Sequence, residues 1–232
     1  MGLRIREEGG LAPKEAGGIR DVMDGLAWEE VSRETVVKDE WIDFRRLSYR
    51  LPDGKVAGPF YSYTRSDYAV VIAIDEEGRY ICVRQYRQGI GEVTTEFPAG
   101  GIEWDGKDGS GTDRRARGGG GEDMALAAAR RELKEETGYE SDDWEHLLTI
   151  PSNATLADNY AYIYLARGCR RTEGQELDET EFLNVRLYSS GEIEEMIRSG
   201  RFQQAVHVMA WYYACNHSAQ RGMRGIMGLD AE

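Results

Sequence analysis

Three glutamates on one short segment carry the clearest chemical signal in the chain. In RRELKEETG, Arg130 to Gly138, Glu132, Glu135 and Glu136 stand at i, i+3 and i+4. A helix projects all three from one face. Like charges at that spacing repel by about 0.2–0.5 kcal/mol per pair, so one reading is a solvated acidic face. The other is a carboxylate cluster on a rigid element. Such a cluster binds hard divalent cations such as Mg²⁺ through oxygen, and the cations in turn bridge phosphates and activate water. Arg131 lies four residues before Glu135, within reach to hold that carboxylate. Leu126, Ala129 and Leu133 lie along the opposite face and would anchor the helix to a sheet. The pattern predicts a helix from about Met124 to Thr137, with Asp123 as N-cap and Gly138 as the C-terminal stop.

Elements able to position that helix are legible on both sides of it. From Trp28, WEEVSRETVV, WIDFRRLSYRL and, beyond the turn PDGK, VAGPFYSYTR read as an antiparallel meander. YAVVIAID (Tyr68 to Asp75) and RYICVRQYR (Arg79 to Arg87) flank EEG and read as a hairpin. WEHLLTI, YAYIYLARG and EFLNVRLY read as later strands. SGEIEEMIRSG reads as a short helix and FQQAVHVMAWYYACNH as a longer closing one. Strands and helices intermingle without regular βαβ alternation, which predicts an α/β chain with a mixed sheet and helices on its faces.

Composition narrows the class of function. At 232 residues the chain suits one domain with extensions, and 41% apolar residues indicate a globular protein. No apolar run approaches the ~20 residues that span a bilayer. The N-terminus has no apolar region of the kind that marks a secretory signal, so the expectation is a cytoplasmic protein with no membrane partner. Cys82, Cys169 and Cys215 lack the paired spacing of a zinc or redox site. A net charge of −13 disfavours nucleic acid as a partner, and an acidic chain acting on an anionic substrate needs metal ions.

The run Arg131, Glu132, Leu133, Glu135, Glu136, Gly138, Tyr139 resembles the second half of the Nudix box. That pattern is Gly, five residues, Glu, seven residues, then Arg-Glu-apolar-x-Glu-Glu-x-Gly-apolar. VRQYR (Val83 to Arg87) followed by EFPAGGIE (Glu96 to Glu103) is similar to the ADP-ribose pyrophosphatase branch of the Nudix hydrolases, and similarity of order extends from about Trp28 to His217. The resemblance implies a Nudix-type α/β/α sandwich with a mixed sheet, preceded by an N-terminal antiparallel β-meander. It also implies a homodimer whose N-terminal strands reach across to the partner. Implied boundaries are a mobile arm at 1–26, a dimerising meander at 27–66, the hydrolase domain at 67–218 and a tail at 219–232.

The first half of the box departs from the pattern. Seven residues back from Arg131 stands Asp123, with Glu122 one place further, so both remain candidates for the first acid. The matching glycine is Gly101, and the 21 residues between it and Asp123, where five are expected, make an insertion of sixteen at about 105–120. DGKDGSGTDRRARGGGGED cannot bury apolar surface, and long loop insertions cost little, which makes it a tether by default. The sharper alternative uses Arg114, Arg115 and Arg117 as a lid over a diphosphate.

By resemblance, Glu132 and Glu136 are principal metal ligands, Glu135 a ligand or water-orienting group, and the Ala99 carbonyl a further ligand. The implied cofactor is Mg²⁺, with Mn²⁺ as a substitute. Arg131, Glu135 and Glu179 form the implied catalytic group, with Glu179 at the base position and Glu181 at a metal-ligand position. Arg87 would meet the substrate diphosphate, an ordinary strand-end salt bridge being the alternative, and Glu96 and Gly101 belong to the same substrate-binding stretch. Trp28 and Trp41 would stack an adenine or lie in the core, and His207 is structural. The implied reaction cleaves a nucleoside diphosphate derivative, foremost ADP-ribose to AMP and ribose 5-phosphate. Relatives of similar architecture accept GDP-mannose or UDP-glucose. A non-catalytic ADP-ribose sensor is the competing class, against which the intact Arg131, Glu132, Glu135 and Glu136 argue.

Overall fold

An antiparallel meander comes first in the chain. The computed structural model describes residues 25–39, 42–103, 121–177 and 181–220. Strands β1 (Glu29–Lys38), β2 (Asp43–Arg50) and β3 (Val56–Thr64) pair in that order as a three-stranded sheet. β1 is exposed along its whole length, whereas Arg45 and Leu47 of β2 are buried.

The second sheet has eight strands: β4 (Tyr68–Asp75), β5 (Tyr80–Arg87), β6 (Glu92–Glu96), β7 (Ala99–Gly101), β8 (Tyr139–Glu140), β9 (Asp143–Pro151), β10 (Tyr160–Arg171) and β11 (Leu183–Tyr188). β10 runs parallel to β4 and antiparallel to β9, so the sheet is mixed. Period-two alternation in β4 divides the core. Val70, Ile72 and Ile74 join a cluster with Trp211 and Phe202, while Ala69, Val71 and Ala73 join one with Ala125, Ala129 and Leu133. A strand buried on both faces reads as a continuous apolar run for this reason. Helix α1 (Gly121–Thr137) supplies the second cluster, and α2 (Ser190–Arg198) with α3 (Ala205–Gln220) supply the first. The result is the α/β/α sandwich with a preceding meander that the sequence led us to expect.

A fork in this sheet positions the site. β4 and β5 pair only beside their turn, at Ala73↔Ile81 and Ile74↔Tyr80. Asp75 shapes that turn by accepting hydrogen bonds from the Glu77 and Arg79 amides at 3.0 and 2.8 Å, while Gly78 takes φ +78. Past the turn the strands part. β6 pairs with the free edge of β5, from Arg87↔Glu92 to Val83↔Glu96, and β7 with that of β4, from Tyr68↔Gly101 to Val70↔Ala99. EVTTEFPAGG therefore fills the fork as two short strands joined through Phe97 and Pro98, which the sequence did not mark because each is too brief to show a period.

Two expectations about helix ends are corrected. α1 begins at Gly121, so Asp123 sits with Glu122 in the first turn, where acidic side chains favour the helix dipole, and is not the N-cap. The closing helix starts at Ala205, because Phe202 is drawn into the core against Phe97, ring centroids 5.1 Å apart. α2 is closed by a capping box in which Ser189 and Glu192 bond each other's backbone.

Candidate active site

Small residues let α1 lie close on the sheet. Ala125, Ala129 and Leu133 are fully buried beneath it, and the helix packs against β4 and β7. That approach carries Glu132 and Glu136 inward to 7% and 3% exposure, on the same buried side as Ala129 and Leu133 and not opposite them as expected, and Gly100 leaves room for the Glu132 carboxylate. A Cβ built on Gly100 would stand 2.0 Å from the Glu132 carboxyl carbon and 2.1 and 2.3 Å from its oxygens. Gly100 has no positive φ, so its lack of a side chain serves this contact and not a turn. Sequence reasoning singled out Gly101, the other half of the Gly-Gly pair. A Cβ there would meet nothing within 4 Å, while its carbonyl accepts a hydrogen bond from Arg131 Nη2 at 3.0 Å.

One arginine holds two of the carboxylates, and a backbone amide holds the third. Arg131 donates from Nη1 to Glu135 at 2.8 Å and from Nη2 to Glu132 at 2.7 Å, so it ties both acids to the β7 carbonyl. Glu136 accepts the Ala99 amide at 3.1 Å. Burial pushes the Glu132 carboxyl up to about 7, with Arg131 pulling it down and the charge of Glu135 adding to the rise. Glu136 is raised well above the carboxylate range, first by burial and then by Glu132, against the Ala99 hydrogen bond. Glu181 stands near enough that its charge opposes ionisation of both. The arrangement is a buried, oxygen-only donor set short of positive charge. Among the described residues no three acidic, imidazole or thiol groups are gathered closely enough to hold a metal ion by themselves.

Beside this cluster, Arg87 donates from Nε to Glu96 Oε1 at 2.9 Å and from Nη2 to Oε2 at 2.5 Å. Glu96 is fully buried and also accepts hydrogen bonds from Thr94 and Gln204. Burial acts to raise its pKa, but the Arg87 and Thr94 hydrogen bonds outweigh that and hold it below its usual value. The salt bridge expected as the alternative for Arg87 is present, and the charge of Arg87 also favours ionised Glu136. His207 is buried, and burial lowers it to about 4. Its Nδ1 accepts the Phe97 amide at 3.1 Å, which anchors the fork from the α3 side.

The structure thus brings Arg131, Glu132, Glu135, Glu136, Ala99, Gly101 and Glu181 to one side of the fork, with Arg87 and Glu96 adjoining. Trp28 is half exposed and packs on Tyr49 and Phe60 in the meander, at ring distances of 5.8 and 5.3 Å. Trp41, Glu179 and the insertion lie outside the described residues. Two residues escaped sequence reasoning: Gly100, whose only signal was the doubled glycine, and Gln175, whose side chain donates to the Glu136 carbonyl at 2.8 Å.

The NUDIX domain profile matches residues 64–211, which takes in the fork, α1, α2 and the start of α3. The chain belongs to the Nudix family. It is a Nudix pyrophosphohydrolase of the ADP-ribose pyrophosphatase-like branch, a family that works with divalent metal ions on nucleoside diphosphate derivatives. The chain is similar to the methanol dehydrogenase activator of Bacillus methanolicus, 32% identical over 62% of this chain and 69% of that one. It is also similar to the ADP-ribose pyrophosphatase of Bacillus subtilis strain 168, 27% identical over 82% of this chain and 94% of that one. Among solved structures, an ADP compounds hydrolase shares the fold with a TM-score of 0.66 at 18% identity, covering 84% of this chain and 96% of the other. Among the described residues no helix is long and apolar enough to cross a membrane.

Proposed function

We propose that this Nudix hydrolase cleaves the diphosphate of ADP-ribose, giving AMP and ribose 5-phosphate, with Mg²⁺ as its metal and Mn²⁺ as a substitute. The buried Glu132–Glu136 pair over Gly100 is the observation that carries this reading. Two carboxylates are held out of water with too little positive charge around them, and a hard divalent cation with oxygen ligands suits that deficit. Glu132, Glu136 and the Ala99 carbonyl would hold it, with Glu135 and Glu181 as further oxygen donors. Bound there, the cation neutralises diphosphate charge and makes water a better nucleophile.

The chain's own residues supply the rest. Arg131 fixes Glu132 and Glu135 against β7, so both are oriented before substrate arrives. Glu96 occupies Nε and Nη2 of Arg87, and the guanidinium held in this way would meet a phosphate oxygen of the substrate. Water attacks one phosphorus, the bond from that phosphorus to the bridging oxygen breaks, and a carboxylate at Glu135 or Glu179 takes the water's proton. Trp28 and Trp41 are proposed to meet the adenine. The likeness to the Bacillus subtilis ADP-ribose pyrophosphatase, which extends over 82% of the chain, supports the choice of substrate. The test is a hydrolysis panel with Mg²⁺ containing ADP-ribose, NADH, GDP-mannose and UDP-glucose. ADP-ribose should give the highest kcat/KM, and cleavage of none would replace the enzyme reading with the sensor.

We further propose that residues 67–218 form the hydrolase unit and 27–66 the dimer contact, with the protein in the cytoplasm. In support, Trp28, Val31, Val36 and Val37 are each about half exposed at and beside β1, an apolar area that a second copy would cover. A monomer in sedimentation at assay concentration would overturn the dimer.

A further inference from the structure

The carbonyls at the C-terminal end of α1 meet donors that sequence patterns did not anticipate. Helix ends leave such carbonyls without partners inside the helix. Here the Gln175 side-chain amide donates to Glu136 O at 2.8 Å, and the Glu176 amide donates to Glu135 O at 2.9 Å. Just past the helix, the Thr172 amide donates to Gly138 O at 2.9 Å. Gly138 permits this approach, since a Cβ on it would stand 2.3 Å from the Glu173 carbonyl oxygen. Lys134 adds a tie through the same segment, with Nζ 2.6 Å from Glu173 and 2.9 Å from Glu140.

Two of the bonded carbonyls belong to residues whose carboxylates form the site. Glu136 is gripped at both ends, its side chain by the Ala99 amide and its backbone by Gln175. Glu181, outside the helix, adds a negative charge that opposes ionisation of Glu132 and Glu136.

We propose that Gln175 is a positioning residue, tying the segment that follows β10 onto the end of the carboxylate helix and setting how Glu135 and Glu136 face the rest of the site. This rests on the reading of those carboxylates as the acting groups. The side chain reaches a backbone carbonyl and no reacting atom, so its loss loosens the relative placement of two elements without removing a ligand. A donor is required at this position, and a positive donor serves because it also suits the negative end of the helix dipole.

The experiment compares Gln175→Ala, Gln175→Glu and Gln175→Lys in the full chain, measuring kcat, KM and the Mg²⁺ concentration for half-maximal rate on ADP-ribose. Gln175→Ala should lower kcat by about fivefold, the factor that corresponds to one hydrogen bond, and raise the Mg²⁺ requirement with KM unchanged. Gln175→Glu has the same length but sets an acceptor against an acceptor, and should fall further. Gln175→Lys should recover most of the loss. If all three variants keep wild-type kcat and Mg²⁺ requirement, or lose only thermal stability, the positioning role is wrong. Glu132→Gln and Glu181→Gln, measured alongside, separate the two ways to fail. Should they retain wild-type activity, the site reading itself falls; should they be impaired while Gln175→Ala is not, only the positioning role falls.

Discussion

Gly100→Ala tests the site with a single methyl group. The added Cβ would lie 2.0 Å from the Glu132 carboxyl carbon, and ordinary contact begins at 3.4 Å, so the carboxylate must move by the difference of 1.4 Å or the fork must open. Arg131 and the buried floor of α1 restrain both movements. Overpacking of this kind costs about 1–3 kcal/mol of stability, while a displacement near 1 Å at a reacting centre costs roughly a hundredfold in rate. The assay is kcat/KM for Mg²⁺-dependent ADP-ribose hydrolysis, run well below the variant's melting temperature so that unfolding does not contribute. Gly101→Ala is the matched control, because its Cβ meets nothing within 4 Å. The expected result is a loss of about a hundredfold for Gly100→Ala and less than about threefold for Gly101→Ala. Near-wild-type turnover by Gly100→Ala, or equal damage from both, would refute the claim that Glu132 acts from the place Gly100 opens for it.

Two further outcomes follow from the same geometry. In the metal-free protein Glu132 titrates near 7, raised from 4.5 by burial, so its contribution to stability is full below about 4.5 and is lost as pH rises through 7. Between pH 5 and 8 the wild type should therefore lose stability relative to Glu132→Gln by about 2 kcal/mol, discounted for partial solvent screening, and Mg²⁺ at pH 8 should restore the wild type alone; parallel melting curves across that range would contradict it. Replacing Lys107 to Gly119 with a short Gly-Ser linker should leave kcat and KM within about threefold if the insertion is a tether, whereas a large rise in KM would mean that Arg114, Arg115 and Arg117 act on the substrate.

Periodicity explains what was legible beforehand. The glutamate spacing located α1, and the run from Tyr68 to Asp75 was legible as a strand, but the inward face of α1 was not: Glu132 and Glu136 are buried beside Ala129 and Leu133, which were expected on the opposite face. The fork was hidden. It depends on β4 and β5 separating after two paired positions, a long-range outcome that no local pattern in EFPAGG records. The roles of Gly100 and Gln175 were hidden for a related reason, since each acts on a residue more than thirty positions away. The Arg87–Glu96 pair lies between these cases: both residues stood out, but their partnership needed the register of β5 on β6 to be known.

The most direct test is ADP-ribose hydrolysis by the wild type and Glu136→Gln, with AMP and ribose 5-phosphate quantified, in Mg²⁺ and after chelation. The wild type should release both products in equal amounts only with the metal, and Glu136→Gln should fall by roughly a hundredfold or more while keeping its fold. Metal-independent turnover, or a Glu136→Gln enzyme as active as the wild type, would contradict the assignment of chemistry to the carboxylate helix.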